Sequence, residues 1–165
     1  MSALDEFRQK WCNPDYPAEP VSASELERIG FRLGFAFPPD YVAQITATGA
    51  VHTTLGLLHV IVETESELYN LSELHTASDI LENTEGWRSA GMPTQLVAIG
   101  SDAGGNSFCF DMREQASPQH KSRAIYLWDH DFDETIQVAA SFTSWIESYL
   151  KLPGNFDSWK DDDTE

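Results

Sequence analysis

The chain has 165 residues, 41% of them hydrophobic, which suits one domain with a real core and excludes a disordered polypeptide. Its 27 Asp and Glu against 10 Lys and Arg leave a net charge of -17, a field that repels nucleic acid and anionic membranes and attracts basic proteins. The only cysteines, Cys12 and Cys109, lie far apart, so two reduced thiols in a reducing compartment are expected.

The first segment, MSALDEFRQKW, lacks the apolar stretch of a secretory signal. No apolar run approaches the roughly 20 residues that span a bilayer. These readings predict a soluble, cytoplasmic protein with no membrane partner.

Residues 3–11 read as a helix with Leu4, Phe7 and Trp11 on one side. Asn13-Pro14-Asp15-Tyr16-Pro17 and Pro20 break it. A second helix is predicted to start at Ser24. Capping-box spacing occurs at Ser24 and Glu27, and again at Ser22 and Glu25. Leu26, Ile29 and Leu33 form its stripe, and Gly34 ends it. Pro38-Pro39-Asp40 opens a third helix, with Tyr41, Val42 and Ile45 inward and Gly49 as its stop.

Residues 55–62, rich in Leu, Val and Ile, read as a strand that passes into an acidic edge at Glu63, Glu65 and Glu67. Residues 77–84 read as a helix with Ala77, Ile80 and Leu81 inward and Trp87 capping the core. Gly91-Met92-Pro93 then leads into the organising element, residues 96–112.

That element is an apolar run, a turn at Asp102-Ala103-Gly104-Gly105-Asn106, and an alternating run. Phe108, Phe110 and Met112 fall on one side of it; Ser107, Cys109 and Asp111 fall on the other. This predicts a hairpin with one apolar face at the centre of the sheet. The glycine pair is not a phosphate loop, because it runs into a strand with no Lys nearby.

Residues 114–123 read as an exposed loop, and residues 124–128 as a third strand. The acidic segment Asp129-His130-Asp131-Phe132-Asp133-Glu134 follows at that strand's end. Residues 138–150 read as the last helix, with Val138, Phe142, Trp145, Ile146 and Tyr149 on one stripe. Residues 161–165 read as a frayed acidic tail. The predicted fold class is α+β: a single domain with a central, mostly antiparallel sheet and helices packed on it. Its expected division is residues 1–20 as a helix and Pro-containing loop, 21–153 as the folded domain, and 154–165 as the acidic tail.

Four stretches in order resemble one family. They are Leu33-Gly34-Phe35-Ala36-Phe37-Pro38-Pro39-Asp40-Tyr41, Ile99-Gly100-Ser101-Asp102-Ala103-Gly104-Gly105-Asn106, Ile125-Tyr126-Leu127-Trp128-Asp129-His130 and Ser141-Phe142-Thr143-Ser144-Trp145-Ile146. Together they resemble the SUKH superfamily over residues 24–152. That family includes a yeast regulator of cell-wall assembly and bacterial immunity proteins of polymorphic toxin systems. One departure is Thr48-Gly49, where the family commonly has Asn-Gly. The resemblance implies an α+β fold with an antiparallel sheet. It also implies that bacterial members bind and neutralise a toxin, often a nuclease, without chemistry of their own.

The residues themselves offer no catalytic or metal constellation. His52, His59, His75, His120 and His130 are scattered, and no pair has the i, i+4 zinc spacing around a Glu. Asp129, Asp131 and Asp133 imitate a calcium loop, but its sixth and twelfth positions hold Glu134 and Ala140 instead of Gly and Glu. No Ser sits in a G-x-S-x-G elbow. No cofactor is expected. A hydrolase using Asp102 and Asp129 is the third-ranked reading, behind a toxin-binding immunity protein and a regulatory or scaffold module.

Binding uses the residues better. Carboxylates steer a basic partner and pair with Arg and Lys, while aromatics anchor the centre of an interface. Trp128, Asp129, Asp131, Phe132, Asp133 and Glu134 supply both types on one segment, and Glu63, Glu65 and Glu67 form a second candidate edge. The expected partner is a basic protein, with a toxin domain as the implied identity.

Overall fold

The computed structural model describes residues 1–114 and 122–159. The exposed-loop reading of 114–123 falls largely outside them, as does the acidic tail at 161–165.

Among the described residues, six helices and five strands make an α+β domain. The helices are α1 (Ala3–Trp11), α2 (Ala23–Leu33), α3 (Pro39–Thr48), α4 (Leu55–Glu63), α5 (Ala77–Ser89) and α6 (Phe142–Leu150). The strands are β1 (Glu73–Leu74), β2 (Leu96–Ser101), β3 (Ser107–Asp111), β4 (Ile125–Asp129) and β5 (Glu134–Ala139). Every pairing is antiparallel and the order is β1-β2-β3-β4-β5, so β3 is central.

Local chemistry sets the helix ends. Ser2 and Asp5 form a capping box on α1, which buries Leu4, Phe7 and Trp11. On α2 the cap is Ser22, which accepts from the Glu25 N–H, so the helix starts before Ser24. Gly34 takes φ +74° and closes it, as the left-handed C-cap requires. The α5 helix runs beyond residue 84 to Ser89 and carries Trp87 on its last turn.

Residues 55–62 are a helix, not a strand. Thr54 caps it by accepting from the Gly56 N–H, and Gly56, Leu57, Val60 and Ile61 form a buried stripe at three- and four-residue spacing. The β-branched content concealed that spacing, because burial of one stripe outweighs the modest propensity of Val and Ile. Gly56 is required by a close approach: a Cβ there would meet the carbonyl oxygens of Asn155 and Phe156 at 2.6 and 2.8 Å. Glu63, Glu65 and Glu67 therefore follow a helix end, not a strand.

The last helix begins at Phe142, not Val138. Ser141 and Ser144 make its capping box, with Ser in place of the usual Glu or Gln. Val138 belongs to β5, which the sequence reading missed.

The β2–β3 hairpin is buried on both faces, with β4 largely so, and the expectation of one apolar face for the hairpin is corrected. Val97, Ile99, Phe108, Phe110, Ile125 and Leu127 join the main core with the helices. Leu96, Ala98, Cys109 and Trp128 form a second cluster, against which Trp87 of α5 packs. Beside the β-bulge in β2, the Ala98 N–H donates to Thr84 Oγ1 of α5 at 3.0 Å. In the main core α1, α3 and α6 pack on one another. Trp11 Nε1 donates to the Tyr149 carbonyl at 3.1 Å, and Lys10 Nζ donates to the carbonyls of Leu150 and Leu152 at the end of α6.

Candidate protein-binding groove beside β5

The β4–β5 turn organises the first acidic segment. Asp129 Oδ1 accepts from the N–H groups of Asp131 at 2.9 Å and Phe132 at 3.3 Å. Asp133 adopts φ +50°, a left-handed conformation that Asp tolerates better than most residues. These bonds turn Asp131, Phe132 and Glu134 outward, with Phe132 74% exposed.

Trp128 departs from the expected interface set. It is 2% exposed, packs edge-on to Trp87 at 5.4 Å, and lies in the cluster behind the sheet. A residue on β4, covered by α5, presents no surface to a partner. Its contribution is to hold the turn, since its Nε1 donates to Asp133 Oδ1.

The second acidic segment closes α4. Glu63 Oε2 lies 3.0 Å from His59 Nε2, one helical turn earlier. Glu65, at φ +52°, reverses the chain, and the Ser66 N–H donates back to the Ile61 carbonyl at 2.9 Å. The following residues are pinned by α6: Tyr149 Oη donates to the Tyr69 carbonyl at 2.6 Å and accepts from Trp145 Nε1 at 3.0 Å. Burial pushes the Tyr149 hydroxyl above its ordinary range, so it works as a neutral hydrogen-bond relay.

The two acidic segments, 65 residues apart at Glu67 and Phe132 in the chain, run into walls of one groove. It has a volume of about 650 Å³ and lies between Ser66–Tyr69 on one side and Ile136–Val138 on the other, with Trp145 and Tyr149 between them. Tyr69 and Ile136 are 41% and 40% exposed. Glu67 is the charged residue in the lining, which contains no Lys or Arg. The lining mixes polar and apolar surface around the one carboxylate of Glu67, which suits a side chain with an apolar stem and a basic head.

Tyr69 and Ile136 were not singled out from sequence, and Val138 was read as part of the last helix. The signal was the alternation Thr135, Ile136, Gln137, Val138, in which β-branched residues mark a strand.

Other chemistry is accounted for by structural roles. Asp102 Oδ1 accepts from the N–H groups of Gly104 and Asn106, and Oδ2 accepts from Asn106 Nδ2, so this carboxylate ties the hairpin turn. With Asp129 tying its own turn, both acids of the hydrolase reading have structural partners. Cys12 and Cys109 are buried; burial pushes the Cys12 thiol up to about 12 and raises that of Cys109 as well, which makes both poor nucleophiles. Among the described residues no group of His, Cys, Asp and Glu is arranged to hold a metal ion, and His120 lies outside them. No helix of the described residues is long and apolar enough to cross a membrane.

A second groove, of about 690 Å³, lies between α2 and α3. Leu26, Gly30, Phe35, Phe37 and Val42 line it, and Phe31 stands on its rim 91% exposed. Sequence reading passed over Phe31 because it lies outside the stripe of α2.

No curated protein matches the chain closely enough to be counted a relative. The sequence profile of the SMI1/KNR4 proteins, SUKH-1, matches residues 20–148, from the loop before α2 to the last turns of α6. The chain belongs to the SMI1/KNR4 (SUKH-1) family, whose members are generally non-enzymatic immunity or regulatory proteins that bind partner proteins.

Proposed function

We propose that this chain is a non-enzymatic, immunity-type protein that binds a cationic toxin domain, such as a nuclease, and neutralises it by covering its active or substrate-binding surface. The observation that carries this reading is that two exposed acidic segments lead into the lining of one groove, which Glu67 and the partly apolar residues Tyr69, Ile136 and Val138 share. Glu63, Glu65, Glu67, Asp131 and Glu134 steer the encounter, and Phe132, Tyr69 and Ile136 supply apolar contact. A cytosolic nuclease must attract phosphate, so its active face is basic and complementary to these carboxylates.

The test is co-expression with the C-terminal domain of the protein encoded by the adjacent gene. Expected are rescue of growth and a one-to-one complex that weakens as salt is raised. A healthy, purified chain that neither rescues nor binds that domain sinks the immunity role.

A regulatory scaffold is the second reading, and one observation favours it. The α2–α3 groove with Phe31 is mostly apolar where the β5 groove is of mixed polarity, so the described residues carry two surfaces of unlike chemistry. A scaffold joining two partners uses two such faces.

A further inference from the structure

The β5 strand ends the sheet order, so among the described residues no strand lies along its outer edge. The opposite edge is different. There β1 is two residues long, and His52 already bridges to Glu73. Natural sheets blunt their open edges with short strands, Pro, Lys or inward charges, because unpaired N–H and C=O groups recruit other chains. The β5 strand, ETIQVA, has six residues and neither Pro nor Lys; its one register shift against β4, of the bulge type that also blunts edges, falls at Val138 and leaves residues 134–137 regularly paired. Residues 134–137 are all exposed, although they alternate between the two faces of the sheet. Ile136, Gln137 and Val138 all line the groove.

We propose that β5 accepts a sixth, extended strand from a basic partner, whose alternate side chains enter the groove beside Ile136 and Val138. This rests on the protein-binding reading above and specifies its mode. Two properties choose the occupant. A row of backbone donors and acceptors repeating every ~3.3 Å per residue is matched by another extended backbone and not by a helix, whose own groups are already paired. The charge at this place is acidic: Glu134 opens the strand, Asp131 precedes it, and Glu67 faces it across the groove. A second copy of this chain would set a net charge of -17 against itself, so the complementary strand carries Lys or Arg between its apolar residues.

The full chain is titrated with three capped octapeptides and followed by amide NMR and hydrogen exchange: (Lys-Val)4, (Glu-Val)4, and (Lys-Val)4 N-methylated at every residue. Expected are amide shifts centred on 134–139 and 66–69 with (Lys-Val)4 alone, and exchange of the β5 amides slowed at least about tenfold. Ile136→Lys and Glu134→Lys, at exposed positions, should each weaken that binding at least about fivefold while leaving the melting curve in place. Three results overturn strand addition: no binding of (Lys-Val)4, equal binding of its N-methylated form, or shifts centred away from β5. Self-association of the free chain that Ile136→Lys abolishes assigns the edge to a second copy and overturns it too. Toxin rescue reads the immunity role separately. Rescue and complex formation unchanged in Ile136→Lys remove the sixth strand and leave the protective role standing.

Discussion

The indole of Trp128 donates through Nε1 to Asp133 Oδ1 at 2.9 Å, so an acid of the β4–β5 turn is fastened to the cluster beneath the sheet. Removing the acceptor leaves a buried N–H without a partner, a loss of about 1–3 kcal/mol. Asp133→Ala also places a residue less tolerant of positive φ at +50°. Asp133→Asn retains an acceptor and suits that backbone. Urea unfolding should show Asp133→Ala destabilised by about 2 kcal/mol and Asp133→Asn within about 0.5 kcal/mol of the parent. Equal stability of all three proteins denies the bond any structural value.

Charge reversal at the rim separates steering from structure. Asp131 and Glu134 are exposed, whereas Asp133 has a fastening role. Asp131→Lys with Glu134→Lys should slow association with a cationic partner about tenfold at low salt and flatten its salt dependence, with a smaller effect on dissociation. Stopped-flow association at several ionic strengths measures this. An on-rate that does not move places the interface elsewhere.

Tyr41 is fully buried among Phe37, Phe110 and Phe142, and its hydroxyl has no hydrogen-bond partner among the described residues. A buried hydroxyl without a partner costs more than the hydrogen atom that would replace it. Tyr41→Phe should therefore stabilise the chain by about 1 kcal/mol, read from the denaturation midpoint. A destabilised variant means the hydroxyl is satisfied in solution.

At Gly56 the usual rule reverses. Gly to Ala inside a helix ordinarily gains about 1 kcal/mol. Here the added methyl meets two backbone carbonyl oxygens of residues 155 and 156, which cannot swing aside as a side chain can. Gly56→Ala should cost about 2 kcal/mol and loosen residues 155–159, seen as faster amide exchange there. Gly86, by contrast, has open space where a Cβ would project, and Gly86→Ala should stabilise α5 by about 1 kcal/mol.

His75 makes stability pH-dependent. Burial lowers its pKa, and Glu73 and Asp79 only partly oppose this, while His52 acts in the same direction as burial. The unfolded imidazole takes up a proton near the ordinary value of about 6.5. The folded one resists until lower pH, so the unfolded state binds more protons in that window. The His75 contribution is complete above the unfolded pKa, declines as pH falls below it, and levels off below the folded pKa. Denaturation midpoints between pH 7.5 and pH 5, as an experimental range, should fall more steeply in the parent than in His75→Gln. Parallel slopes exclude the burial effect.

Where neighbours in the chain decide the structure, the residues were readable. The α1 stripe, the Gly34 stop and the β2–β3 hairpin follow from spacing, turn chemistry and alternation. Where distant segments decide it, they were not. The α4 helix is composed like a strand, and its helical state is supported by a stripe packed in the core and by a glycine answering to residues 155 and 156. The β5 strand is exposed for most of its length, so it has no hydrophobic run to announce it; pairing with β4 defines it. The acidic halves of the groove were legible as composition. Their meeting was not, because it depends on α6 pinning Tyr69 beside β5.

The bonds from Lys10 and Trp11 to the far end of α6 have a kinetic consequence. During synthesis α1 leaves the ribosome before α6, so Leu4, Phe7 and Trp11 lack the helix that buries them until about residue 150 has been made. The nascent domain thus carries a greasy, unsheltered segment while the residues between α1 and α6 are made, and its collapse waits on α6 to emerge.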